Sequence, residues 1–210
     1  MGFLDLLKAI PIDLGQGSVA DRTEGKQIAM RLVPPGHGKK ALDVGCRAGV
    51  QTRWLRSRGY EVTSIDVDKR FDEALVVDAN ERLPFPDESF DLVWCSEVIE
   101  HLRDPAASLA ELRRVTRPGG ELILTTPNSY ALLFRFIALF GLTPRRIQRK
   151  DHLHFFSEAD IRRLAPDAEL FGYFPYAWIK RTIRRAIGHL SPTFVMRIRK
   201  AAEAADEKAA

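Results

Sequence analysis

The chain has 210 residues, with 32 Lys or Arg against 28 Asp or Glu for a formal charge of +4, and 45% of its residues are apolar. That length and balance suit one globular domain with a sizeable core, and they exclude a disordered or fibrous chain. Two cysteines outside any CxxC pair exclude a disulfide scaffold and a structural zinc cluster of the usual spacing, and no apolar run is long enough to span a bilayer.

In chain order, the opening MGFLDLLKAIPIDLG lacks a basic leader and a small-residue cleavage site, so it reads as cytoplasmic and unprocessed. An amphipathic helix is predicted around 20–32. Short apolar runs at 41–44, 62–65, 74–77, 92–95 and 121–125 read as strands buried on both faces. Helices are predicted at 50–58, stopped by Gly59, and at 106–116, started by Asp104-Pro105 and closed before Pro118-Gly119-Gly120. The eleven residues between Asp66 and Asp78 are too few for a crossover helix, so a loop or single turn must make that crossing. This alternation predicts an α/β fold with a doubly wound sheet.

Three strand ends carry chemistry suited to a nucleotide-like ligand, which such sheets bind beyond their carboxyl edges. After the first strand comes Asp43-Val44-Gly45-Cys46-Arg47-Ala48-Gly49, whose glycines allow close backbone approach ahead of a helix N-terminus. The second strand ends in Asp66, placed to accept from two ribose hydroxyls, and the third in Asp78-Ala79, beside an adenine. Arg47 and Val50 stand where a dinucleotide GxGxxG loop has glycine, which argues against a nicotinamide or flavin.

The segments ALDVGCRAG, VTSID, VVDA, LPFPDESFDLVWCSEVIEHL and RVTRPGGELILTTPN together resemble a class I S-adenosylmethionine-dependent methyltransferase. They are most similar to the small-molecule branch that includes the ubiquinone-biosynthesis methyltransferases. The resemblance covers about residues 38–128 and implies a seven-stranded Rossmann-like sheet with a reversed final hairpin, with strand candidates at 169–174 and 194–200. It implies S-adenosylmethionine as cofactor, with Asp43, Gly45, Cys46, Arg47 and Gly49 on the methionine side, Asp66 at the ribose, Asp78 and Ala79 at the adenine, and Ser96 near the methyl group. Family members usually have glycine where this chain has Arg47. That cation can plug the pocket, pair with the methionine carboxylate or point outward, and the retained Gly45 and Gly49 favour the last two.

Methyl transfer to a hydroxyl needs a group to take its proton. His101 is the best-placed base, with Glu97 beside it, in Cys95-Ser96-Glu97-Val98-Ile99-Glu100-His101. If that segment is helical, Glu97, Glu100 and His101 share a face. The pattern resembles the metal signature of certain O-methyltransferases, with a divalent cation such as Mg completed by His152 or His154. In metal-free relatives the resemblance implies that His101 holds a loop by hydrogen bonds and Glu97 contacts the cofactor region.

The expected organisation is a single domain over 1–200, with its core at 38–128, an apolar helical lid insertion at 129–156, a basic part at 157–200 and a flexible tail at 201–210. Residues 143–200 hold 13 Lys/Arg against 5 Asp/Glu, whereas the rest holds 19 against 23. Clusters at Arg145, Arg146, Arg149, Lys150 and at Lys180, Arg181, Arg184, Arg185 suit phosphates or an anionic membrane surface, and equally a solvated helix face. The apolar run 131–142, the N-terminal Phe3, Leu4, Leu6, Leu7 and Ile10, and Tyr173, Phe174, Tyr176 and Trp178 suit a greasy substrate, a membrane surface or a buried contact. The leading expectation is methyl transfer to a small, apolar or lipid-linked acceptor, in the cytoplasm or peripherally at the membrane. A non-catalytic cofactor-binding or membrane-docking relative comes second. An RNA methyltransferase comes third, because no recognised RNA-binding module accompanies the basic clusters.

Overall fold

The computed structural model describes residues 23–139, 141, 143–147, 151–174 and 181–202. The expectations for the N-terminal segment through residue 22, for Arg149, Lys150, Tyr176, Trp178 and Lys180, and for the tail past 202 lie outside the described residues.

Helix α1 (Glu24–Leu32) leads into β1 (Lys40–Val44), α2 (Val50–Ser57), β2 (Glu61–Asp66) and β3 (Leu75–Val76). Next come β4 (Phe90–Ser96), a 3-10 turn at Ile99–His101, α3 (Pro105–Val115) and β5 (Thr116–Pro127). Then follow α4 (Leu132–Ala138), α5 (Pro144–Ile147), α6 (Glu158–Leu164), β6 (Glu169–Phe174), β7 (Arg181–Ile183), α7 (Ile187–Leu190) and β8 (Thr193–Arg199). The caps follow from the sequence. Thr23 accepts from the Lys26 N–H, Asp104 Oδ1 from the N–H groups of Ala106 and Ala107, and Ser157 with Asp160 closes a reciprocal capping box.

All strands form one sheet in the order β3-β2-β1-β4-β5-β8-β6-β7. The first five are parallel, and β8 runs antiparallel between β5 and β6. The sheet thus has eight strands among the described residues, not seven. The addition is β7, which pairs antiparallel with Gly172–Phe174 and covers the edge that β6 would otherwise leave open. Strand β5 begins at Thr116, where the sequence suggested the end of a helix. Thr116 pairs with Phe90, and a register shift then leads to the Leu92–Glu121 pair.

Side chains alternate across the sheet, so every central strand feeds two cores. Leu42, Val44, Val93, Cys95, Leu122 and Leu124 pack on the side of α3, with Leu109 and Leu112. Ala41, Leu92, Trp94 and Ile123 pack on the other, with Ile28 and Ala29 of α1 and Leu55 of α2. Burial on both faces is why these strands read as continuous apolar runs. The crossing from β2 to β3 is a loop, as the spacing required, and β3 is a two-residue edge strand with both side chains exposed. At the end of β5, buried Asn128 donates to the carbonyls of Gly188 and Ser191, and its N–H bonds the Pro192 carbonyl. That ties the parallel half of the sheet to the start of β8.

Candidate active site

The strand order β3-β2-β1-β4 lays the chemistry-bearing strand ends side by side above one cavity of about 330 Å³. That volume falls in the roughly 300–1,000 Å³ range of small-molecule sites. Its walls include Gly45 and Arg47 after β1, Asp66 at the end of β2 with Val67 and Asp68 beyond it, Asp78, Ala79 and Asn80 after β3, and Glu97, Val98 and His101 after β4. Asp151 closes it from the insertion after β5.

The loop after β1 is held by main-chain bonds and close packing. Gly45 and Cys46 N–H groups donate to the Ile65 carbonyl at 2.9 and 3.1 Å. Gly45 has φ +71, and a Cβ there would collide with the Val98 side chain. Gly49, which caps α2, has φ +72 and lies under the Phe71 ring. Arg47 is in the left-handed region at φ +48, a conformation that favours glycine. Its N–H donates to Asp66 Oδ2 at 2.8 Å, while the Asp68 N–H donates to Oδ1 at 2.9 Å. Two amides thus fix the carboxylate and leave lone pairs for a ligand.

Asp43 does not line the cavity. It is buried beneath the loop and accepts from the Thr52 hydroxyl at 2.6 Å, and Thr52 bonds Ser64 at 2.8 Å. Burial pushes the Asp43 carboxyl up to about 6, offset in part by the Thr52 bond. Cys46 is buried too, and desolvation with the nearby Asp43 and Asp66 charges pushes its thiol up to about 12, far from nucleophilic reactivity. Gly49 and Ser96 lie behind the lining, Ser96 against Thr125 at 2.8 Å. Asp78 accepts from the N–H and side-chain amide of Asn80, which hold its carboxyl below the ordinary carboxylate range.

The segment after β4 is not an α-helix. Glu97 sits at φ +58 before the 3-10 turn, and its carboxylate accepts from the Thr125 hydroxyl at 2.8 Å. It therefore does not share a helical face with Glu100 and His101. Glu100 is buried and accepts from the Thr126 hydroxyl at 3.0 Å. The Leu153 and His154 N–H groups dock on the Glu100 carbonyl at 2.9 and 3.0 Å. This docking brings His152 edge-on to His101, with ring centres 4.7 Å apart. Ligand atoms of Glu100, His101 and His152 lie within 4.8 Å of one another, and Glu97 is outside that group. His154 is also outside, with its ring stacked on Phe156. His101 Nδ1 lies 2.9 Å from the Asp151 carbonyl, which only accepts, so Nδ1 is the donor there, and Nε2 faces Glu100 Oε1 at 4.0 Å.

Sequence reasoning missed Thr125 and Thr126, the hydroxyls that orient Glu97 and Glu100, and the apolar wall residues Val67 and Leu102. Thr125 and Thr126 stand in the TTPN end of β5, a signal visible in the chain but not tied to any partner until β4 and β5 are paired. Of the described residues of the insertion, only Asp151 lines the cavity. Helix α4 packs beside α7, so the expected lid over the pocket is not seen among the described residues.

Residues 42–124 match the family described as a methyltransferase domain. The chain is 32% identical over 157 residues to a ubiquinone biosynthesis O-methyltransferase from Thiobacillus denitrificans, covering 65% of this chain and 66% of that protein. It is 29% identical over 152 residues to the protein of that name from Aromatoleum aromaticum, covering 63% and 64%. The chain thus spans just under two thirds of these relatives' lengths. In fold it is similar to an S-adenosylmethionine-dependent methyltransferase from Mesorhizobium loti, with a TM-score of 0.65 at 15% identity, covering 85% of this chain and 99% of that one. The match over residues 42–124 and these relatives support a class I S-adenosylmethionine-dependent methyltransferase, and the likeness to the Mesorhizobium loti protein shows that fold.

Proposed function

We propose that this protein transfers a methyl group from S-adenosylmethionine to a hydroxyl of a small, apolar or lipid-linked acceptor. The observation that carries the reading is the single cavity that gathers Asp78, Asp66, the Gly45–Arg47 turn and His101 in the order of the strands beneath them. The donor set fits such a cofactor. Asp66, held by two amides, offers acceptor positions for a vicinal diol, Val67, Ala79, Val98 and Leu102 offer apolar walls, and the carboxylates favour a cation.

When bound, the cofactor supplies a methyl group already activated by a sulfonium centre. The chain's own task is to orient the reactants and to take the acceptor proton, contributions worth roughly 10²–10⁴-fold for a positioned base. His101 Nε2 suits that role because the Asp151 carbonyl fixes the opposite ring nitrogen as the donor. The relatives are named as O-methyltransferases, which favours a hydroxyl over a nitrogen or carbon acceptor. Purified protein incubated with tritiated methyl donor and a membrane-lipid extract is expected to place label in the organic phase. Label confined to RNA, or no transfer with cofactor still bound, would replace this reading by the RNA-directed or the non-catalytic one.

A metal-assisted variant is favoured by one observation, the convergence of Glu100, His101 and His152. One carboxylate and two imidazoles suit a transition metal better than magnesium, which prefers oxygen ligands. In that variant Glu100, His101 and His152 would hold the ion, which would polarise the acceptor hydroxyl in place of a proton-accepting His101. Activity abolished by chelator and restored by manganese or zinc would support it, and indifference to chelator would return the proton to His101 alone.

The exposed apolar residues after β5 support a membrane-facing reading. Phe136 and Leu139 are 59% and 80% exposed, Leu132 and Leu153 about half exposed, and Arg135, Arg145 and Arg146 lie in the same stretch. Apolar side chains interleaved with arginines suit an anionic lipid surface.

A further inference from the structure

We infer that Arg47 reads the carboxylate of the donor's amino-acid end, and that it is a specificity-determining residue of this site. The inference rests on the reading that the cavity seats the adenosyl donor. Five acidic residues line that cavity, Asp66, Asp68, Asp78, Glu97 and Asp151, against two arginines, Arg47 and Arg70. Arg70 is already paired with Asp68 at 2.9 Å. Arg47 is exposed, and among the described residues its side chain has no ion-pair partner. It is therefore the one lining cation, among the described residues, available to a ligand.

The charge balance gives it a task. A wall so rich in carboxylates attracts the sulfonium and the ammonium of the donor, and repels the carboxylate that the same molecule carries. A guanidinium beside that carboxylate removes the conflict and binds it through paired N–H donors.

The backbone places the cation at the appropriate end. The strand order puts Asp78 and Asp66 on one side of the β1 loop and Glu97 on the other. With adenine and ribose toward β3 and β2, the amino-acid end falls at the β1 turn, where Arg47 stands. The Arg47 N–H is committed to Asp66 Oδ2 at 2.8 Å, and its φ of +48 fixes the direction in which the side chain leaves the turn. The main chain of Arg47 thus serves the ribose carboxylate while its side chain is left for the carboxyl group. A glycine here could do only the first.

The test is calorimetric and needs no turnover. Wild type, Arg47→Gln and Arg47→Gly are titrated with S-adenosylhomocysteine and with decarboxylated S-adenosylmethionine, which keeps the adenosyl, sulfonium and ammonium groups. Loss of the guanidinium is expected to weaken S-adenosylhomocysteine by about tenfold or more, as befits a charge-assisted pair, and to leave the decarboxylated ligand unchanged or tighter. The wild-type preference for the carboxylated ligand is expected to shrink with added salt, and the variants' preference is not. Equal losses for both ligands, or none for either, overturn the inference while the pocket assignment stands. Failure of wild type to bind either ligand overturns the pocket assignment itself, and the inference with it. Arg47→Gly separates a folding defect from a lost contact, because glycine suits the observed φ.

Discussion

The main-chain N–H of Arg47 lies 2.8 Å from Asp66 Oδ2, so the turn after β1 and the end of β2 form one hydrogen-bonded unit. The bond uses the Asp66 carboxylate but nothing of the Arg47 side chain. It depends on the left-handed turn at Arg47 and on the in-register pairing of Val44 with Ile65.

Asp66→Ala removes the anchor of the Arg47 amide and, on the proposed reading, the acceptor for the ribose hydroxyls. Affinity for S-adenosylhomocysteine is expected to fall by about tenfold or more, whereas Asp66→Asn, which keeps an acceptor oxygen, is expected to lose less. Titration calorimetry checks this, and unchanged affinity in the alanine variant would remove Asp66 from the site.

Gly49→Ala is expected to destabilise the fold through two separable effects. The left-handed backbone alone costs about 1–2 kcal/mol for a residue with a Cβ. The new Cβ would also lie 2.8 Å from the Phe71 ring, forcing that ring off the loop. Gly38, at φ +80 with nothing within 4 Å of where a Cβ would stand, isolates the backbone effect. Thermal melts should therefore show a larger drop for Gly49→Ala than for Gly38→Ala, with a Tm loss of roughly 4–8 °C or more for Gly49→Ala.

Asp43 makes stability depend on pH in an unusual direction. The folded carboxyl takes up its proton near pH 6, against 3.8 for an ordinary aspartate, so between those values the folded state binds more protons than the unfolded one. Its contribution to stability falls as pH rises through that window, by up to about 3 kcal/mol, and is level above it. Asp160 and Asp167, held below the ordinary range by the Ser157 bond and by Arg113 respectively, act oppositely and lose their contribution only as pH falls further. Urea melts at pH 4.5 and 7 should show Asp43→Asn gaining on the wild type as pH rises. A constant difference between the two would show that Asp43 does not titrate in this range.

The exposed apolar stretch is tested by flotation. Vesicles with anionic phospholipid are expected to carry the protein upward, zwitterionic vesicles are not, and Leu139→Glu with Phe136→Glu should abolish the effect while leaving S-adenosylhomocysteine affinity intact. Binding unaffected by the double substitution would assign the lipid contact elsewhere.

The parallel half of the fold was legible because its strands are buried on both faces and its turns carry their own signals. Asp104 and Gly49 precede helix starts, and the short span from Asp66 to Asp78 forced a loop crossing. The cavity residues Gly45, Asp66, Asp78, Ala79 and His101 stand at strand ends that the chain order alone could locate. What remained hidden depends on contacts between distant segments. The left-handed φ at Glu97 breaks the helical spacing that would align Glu97 with Glu100, and the bond from Thr125 that holds it appears only when β4 and β5 pair. His152 and His154 look equivalent in sequence. The docking of residues 153 and 154 on the Glu100 carbonyl separates them, one toward His101 and the other onto Phe156. Strand β7 is three residues long with a sole apolar residue, Ile183, so no periodicity announces it.

The placement of β8 has a consequence for biogenesis. Among the described strands it is translated after all the others, yet it is the seam that joins β5 to β6. A ribosome adding about 5–20 residues per second finishes β5 several seconds before β8 emerges. Through that interval β5 waits with an unpaired edge beside Leu122 and Leu124, and the nascent chain depends on prompt completion, or on a chaperone, to keep neighbouring copies from pairing there first.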